Sequence, residues 1–189
     1  MTYFNNAGHF LIDTIVGLYV LLLLIRFWLH WTRSDFRNPV GQFLITVTNP
    51  VIVPFGRLIT NHNGFAIISL LAAFILTTIK LFILVKLSGF TPNLGGVLLY
   101  AVGELIKSSI YIFMVCVFIR VISSWFAQLG QYNPMMSVIY SLSEPIMAPA
   151  RRLIPSLSGI DLSPIVVFIF LQLSLILIVG PIMGEARLY

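Results

Sequence analysis

A single cysteine, Cys116, stands in the whole chain, so no intramolecular disulfide can staple it. Set in an apolar run, that thiol reads as a small buried hydrophobe. Charge is scarce too: Asp, Glu, Lys and Arg make up 9% of 189 residues, against roughly 25% in a soluble domain. A chain with so little polar surface cannot stay in water. Its net charge of +5 is small and its cations stand singly or in pairs, which excludes a nucleic-acid stripe. Those cations suit orientation against anionic lipid instead. The first nine residues hold no Lys or Arg and no cleavage-site pattern, so the first apolar segment is expected to remain as a span. Catalytic signatures are missing as well: there is no GxSxG, P-loop or GxGxxG. His9, His30 and His62 fall in different segments, with no cysteine or paired carboxylate at ligand spacing. Neither a metal, nor a cofactor, nor an enzymatic activity is expected.

Apolar sequence is abundant. Hydrophobic residues reach 59% and mean hydropathy is +1.01, the composition of an integral membrane protein. A span takes about 20 apolar residues. Four stretches qualify: Phe10 to Trp31, Phe65 to Leu87, Ser108 to Phe126, and Leu162 to Met183. The predicted fold is therefore an all-α membrane protein with four transmembrane helices.

The chain also contains itself twice. Asn38-Pro39 recurs as Asn133-Pro134, Pro50 as Pro145, Pro54 as Pro149, Arg57-Leu58-Ile59 as Arg152-Leu153-Ile154, and Gly64 as Gly159, all at an offset of 95. Upstream, Arg26 and Trp31 match Arg120 and Trp125 at an offset of 94. The division is a first repeat over 1–87, a linker over 88–107 and a second repeat over 108–189. Each repeat has two spans, and an even number returns the chain to its starting side. The repeats are thus parallel, with loops 32–64 and 127–161 on one face and both termini on the other. Arg33, Arg37, Arg57, Arg151 and Arg152 outnumber Lys86, Lys107 and Arg187 across the membrane, which favours loops in the cytoplasm and termini outside.

Each loop carries a short amphipathic helix. Asn38 caps and Pro39 opens the first, with Val40, Phe43, Leu44 and Val47 on one face; Asn133 and Pro134 begin the second, striped by Met135, Val138, Ile139 and Leu142. At roughly ten residues neither can span, so each lies in the interface or docks beneath the spans. Asn49-Pro50 and Glu144-Pro145 then read as a bend and a helix restart, with Pro54 and Pro149 keeping the new segment short or bent. Arg57 and Arg151-Arg152 follow, with Pro155 after the second pair. Held in such a frame, these arginines can meet lipid phosphate or an acidic partner, or form salt bridges to Glu144, Asp161 or Asp35. In the second copy Asp161, with Ser163 as cap and Pro164 in the first turn, introduces the last span. The first copy has neither acid nor proline there.

Within the spans, Arg26 and Arg120 lie inward of the terminal tryptophans Trp28, Trp31 and Trp125, which read as interfacial anchors. The simple reading of both arginines, and of Lys80, is snorkelling to the headgroups. Their equal depth in the two repeats raises the alternative that both face inward and pair. The centres of the spans are nearly bare of ionisable groups, which argues against a pore within one four-span unit.

The duplicated R…NP…(N/E)P…P..R.LI…G pattern, carried most fully by EPIMAPARRLIPSLSGIDLSP, resembles the YggT family of bacterial membrane proteins, whose plastid and Gram-positive relatives are called YlmG. The resemblance covers nearly the whole chain. It implies a bacterial inner-membrane protein of two YGGT modules without established enzymatic activity. It further implies association with osmotic-stress tolerance, cell division, nucleoid distribution in plastids or assembly of membrane complexes. The expected partners are the lipid bilayer and a membrane protein or a second copy of the chain, not nucleic acid. Two functions follow: a scaffold acting through its proline and arginine loops, or an ion or small-solute pathway built by an oligomer.

Overall fold

The computed structural model describes residues 2–56, 62–126, 134–153 and 161–188. Arg57, Asn133, Pro155 and Gly159 lie outside them, as do the side chains of Pro134 and Trp125. The described residues form helices α1 (Thr2–Trp31), α2 (Pro39–Gly56), α3 (His62–Leu87), α4 (Leu94–Phe126), α5 (Pro134–Leu153), α6 (Ser163–Ser174) and α7 (Gly180–Glu185). A π-helical turn, Leu175–Val179, joins the last two. Pro181 offers no N–H, and the Gly180 N–H bonds back five residues to the Leu175 carbonyl, which widens that turn.

Among the described residues, four helices are long and apolar enough to cross a membrane: Tyr3–Trp31, Gly64–Leu87, Leu94–Ser124 and Ser163–Glu185. The third begins well before Ser108, so most of the segment read as a linker is helix. The polar residues Glu104 and Lys107 inside it hid that start from a hydropathy count. What remains of the connection, 88–93, is short because Gly89 ends α3 in the left-handed region (φ 85°). There the Phe90 N–H reaches the Val85 carbonyl and the Gly89 N–H that of Lys86, a Schellman closure. Arg33 (φ 52°) ends α1 with the same pair of bonds, although it is not glycine.

The ends sort as the repeat parity requires. Asn5 Nδ2 donates to the Leu87 carbonyl at 3.0 Å, and the Asn93 N–H donates to Leu188 at 2.8 Å, so both termini meet the 88–93 connection. The C-terminal segment runs so close to α4 that a β-carbon on Gly96 would overlap the Arg187 carbonyl. Helices α2 and α5 occupy the opposite end of the bundle and touch each other.

Both loop helices dock against the spans. In α2 the buried positions are Gly41, Leu44, Thr48 and Ile52; in α5 they include Leu142, Ser143, Met147 and Ala150. These faces continue past the prolines in uninterrupted helices, so the expected restart is absent. Pro50, Pro54, Pro145 and Pro149 all lie on exposed sides of continuous helices. The carbonyls four residues earlier, at Thr46, Pro50, Ser141 and Pro145, thereby lose their helical donor. Asn38 caps α2 as predicted, its Oδ1 accepting the Gly41 N–H at 2.7 Å, with the exposed Pro39 in the first turn. At α6 the expectation fails: Ser163 is not the cap. The carboxylate of Asp161 accepts the Ser163 N–H at 2.9 Å instead, ahead of Pro164.

Besides a small cluster of Leu81, Val97 and Ala101 between α3 and α4, two apolar clusters form the interior of the described residues. One joins α1 through α5 around Leu23, Leu24, Ile52 and Leu142; the other joins α4, α5 and α6 around Val117, Met147 and Val167. Trp28 packs against both, with its ring edge-on to Phe113 at 4.6 Å. It therefore bridges the repeats, whereas Trp31 is exposed as an anchor should be.

Candidate functional site at the paired arginines

Between helices immersed in hydrocarbon there is little hydrophobic drive, so packing and interhelical polar contacts carry the association. Two such contacts are equivalent by duplication. Arg26 of α1 is 4% exposed, and its Nη1 donates to Thr48 Oγ1 at 2.6 Å and to Asn49 Oδ1 at 3.0 Å. Arg120 of α4 places its Nη1 3.0 Å from Ser143 Oγ and 2.7 Å from Glu144 Oε2. Thr48 and Ser143 are equivalent repeat positions, as are Asn49 and Glu144. Neither arginine snorkels. Each turns inward and ties its span to the loop helix that follows, whose oxygens lie within hydrogen-bonding distance.

The copies differ in charge. Arg26 meets only neutral oxygens, and Thr48 passes its own hydroxyl hydrogen to the Leu44 carbonyl. Arg120 meets a carboxylate and lies over the Tyr140 ring, 4.5 Å from its centre. From Glu144 the network continues: Arg151 Nη1 lies 3.3 Å from Glu144 Oε1, and Arg151 Nε lies 3.1 Å from Asp161 Oδ2. Asp161 then holds the start of α6. Four alternating charges thus connect the third span, the loop helix and the fourth span. Burial alone would push the Asp161 carboxyl up, but the bonds from Ser163 and the Arg151 guanidinium together hold it below its ordinary value of 3.8.

Of the sequence-predicted loop residues, Glu144, Arg151 and Asp161 come together. Arg152 does not join them; it is exposed and forms no ion pair among the described residues. One cluster was missed entirely. Lys80 of α3 is 3% exposed, does not snorkel, and pairs with Asp13 of α1 at 2.8 Å and with Glu104 of α4. It thereby joins the two repeats on the side of the bundle away from the loops. Glu104 Oε2 is buried without a hydrogen-bond partner among the described residues. The signal was three lone ionisable residues at similar depth, obscured because Glu104 falls in the segment that reads as a linker.

The family model described as CCB3/YggT matches residues 5–87 and 99–182, one segment for each repeat. A Vibrio alginolyticus protein from the proC 3' region is 36% identical over 182 residues, covering 94% of this chain and 97% of its own length. YggT of Escherichia coli (strain K12) is 36% identical over 168 residues, 88% of this chain and 86% of that protein. CCB3, a chloroplast protein of Arabidopsis thaliana named for cofactor assembly of complex C, is 25% identical over 97 residues, 51% of this chain and 53% of that one. No solved structure matches. With both halves matched and whole-length relatives at this identity, the chain belongs to the CCB3/YggT family of membrane proteins.

Proposed function

We propose that this chain is a non-enzymatic scaffold or assembly factor of the bacterial inner membrane. Its second repeat presents the working surface, with the loops in the cytoplasm and the termini in the periplasm. The observation that carries this reading is the charge inequality of two otherwise equivalent contacts. In the first repeat the arginine ends on Asn49; in the second it opens the network from Glu144 through Arg151 to Asp161, beside the exposed Arg152. A rigid frame with an exposed guanidinium at its edge suits recognition of an acidic partner segment. A relative named for cofactor assembly agrees with the scaffold class. Supporting the envelope under osmotic load is the cellular role we infer.

Complementation of a deletion strain under osmotic stress, with co-purification of membrane partners, tests the reading. Pro145→Ala or Arg152→Ala should impair growth and partner recovery more than Pro50→Ala or Arg57→Ala. Equal effects in the two repeats would remove the case for a second-repeat surface.

An ion or small-solute pathway is the second reading, favoured by the Lys80, Asp13 and Glu104 cluster within the spans. Flux through proteoliposomes of purified protein, abolished by Glu104→Gln, would replace the scaffold with a pathway. Absence of flux, with partners lost in Arg152→Ala, would leave the scaffold standing.

A further inference from the structure

An apolar groove of about 570 Å³ lies between the repeats, walled by α1, α2, α4 and α5. Its walls are the same surface used twice. Leu22 is matched by Cys116, Ile25 by Ile119, and Phe43 by Val138, each pair at the offset of the duplication. The groove therefore lies where the two copies face each other, on the approximate axis that relates parallel repeats. Phe43, Val115 and Met135 are more than half exposed along it (58%, 54% and 55%), so it is open rather than sealed. In a spanning bundle that opening faces hydrocarbon, and the solvent there is lipid acyl chain.

The connection that enters its loop end carries two arginines and one acid. Pro39 belongs to the wall, and two residues before it stands Arg37, exposed and without an ion pair among the described residues. The nearby Asp35 carboxylate is engaged by the Arg37 backbone N–H at 2.9 Å. Arg33, exposed in the same connection, lines a different cavity with His30, Trp31 and Ile67. An apolar slot with the Arg37 guanidinium beside its headgroup end complements an amphiphile with an anionic head.

We propose that the groove is a binding site for one anionic glycerophospholipid, its acyl chain between the repeats and its phosphate at Arg37. The site is separate from the Arg120 network and does not depend on the scaffold reading. The bound lipid fills the seam between the two copies, so the bundle is completed by a molecule of the membrane. The two repeats need not close on each other, because acyl chain supplies the missing contacts.

Native mass spectrometry of the full chain in detergent, titrated with phosphatidylglycerol or phosphatidylcholine of equal chain length, tests this. One phosphatidylglycerol should be retained per chain, with phosphatidylcholine held more weakly. Val115→Trp, which fills the groove, and Arg37→Gln, at an exposed position that leaves packing intact, should each lower phosphatidylglycerol retention about tenfold, the loss of one charge-assisted bond or a comparable apolar contact. Equal retention of the two lipids, or retention unchanged by both variants, overturns the proposal. A lipid-free dimer that Val115→Trp dissociates also overturns it, since a second copy would then occupy the groove.

Discussion

Arg120 Nη1 lies 2.7 Å from Glu144 Oε2, and this contact repeats, with a charge added, the one between Arg26 and Asn49 at 3.0 Å. The duplication therefore offers an internal comparison: the same geometry with a neutral and with an anionic acceptor. Replacing Asn49 by Glu should give the buried Arg26 a charged partner and raise thermal stability in detergent by about 1 kcal/mol, the difference between a neutral and a charge-assisted bond. Unchanged or lowered stability would show that the first repeat has no room for the second repeat's chemistry. The converse change, Glu144→Gln, keeps a hydrogen bond to Arg120 but cuts the link to Arg151. It should cost less than Arg120→Ala, which removes the contacts to both Ser143 and Glu144 and the stacking on Tyr140.

The clasp at the fourth span depends on pH in a known direction. Asp161 is held below its ordinary value of 3.8, so the stability it contributes is fully present above about pH 4 and disappears as pH falls through its depressed value. Unfolding temperatures of the native chain and of Asp161→Asn should differ at neutral pH and converge on acidification. Asp161 is exposed, so the difference should stay under about 1 kcal/mol. Parallel curves at every pH would mean that the carboxylate does not hold α6.

Lys80 serves two acids on two other helices, and it is the more buried partner in both pairs. Lys80→Met leaves Asp13 and Glu104 without their cation and should destabilise the chain by about 3 kcal/mol or more. Adding Glu104→Gln and Asp13→Asn to that variant should recover much of the loss, because the uncompensated charges are removed with it. No recovery, measured by thermal unfolding in nanodiscs, would indicate that the lysine acts through packing alone.

Pro50 interrupts the hydrogen bonding of α2 without interrupting the helix. Pro50→Ala restores a donor for the Thr46 carbonyl, so stability should hold or rise by about 1 kcal/mol, since a helix-interior proline costs about 3 kcal/mol in the absence of compensation. A fall in the unfolding temperature would show that the proline shapes the docked face. That outcome would extend the prolines' part from the exposed side of the helix to the interior.

Length, hydropathy and repeat offset were enough to count four spans and to put both loops at one end, although the third helix starts at Leu94, before the segment that hydropathy marked. Those properties are local or additive along the chain: a run of apolar residues spans whatever its neighbours are, and an even number of spans fixes the sides. Capping at Asn38 was equally legible, because a cap bonds within its own turn. The partners of Arg26, Arg120 and Lys80 were not legible. Snorkelling and inward pairing are both open to a lone cation in a span, and the choice turns on whether an oxygen of another helix comes within reach. Only packing decides that. Docking of α2 and α5 brings Thr48, Asn49, Ser143 and Glu144 to the arginines, and an early start to α4 brings Glu104 to Lys80. The sequence by itself determined which segments cross the membrane and that the unit is used twice. The tertiary structure decided which charges meet, because in a low-dielectric interior each buried cation settles where an acceptor is within hydrogen-bonding distance.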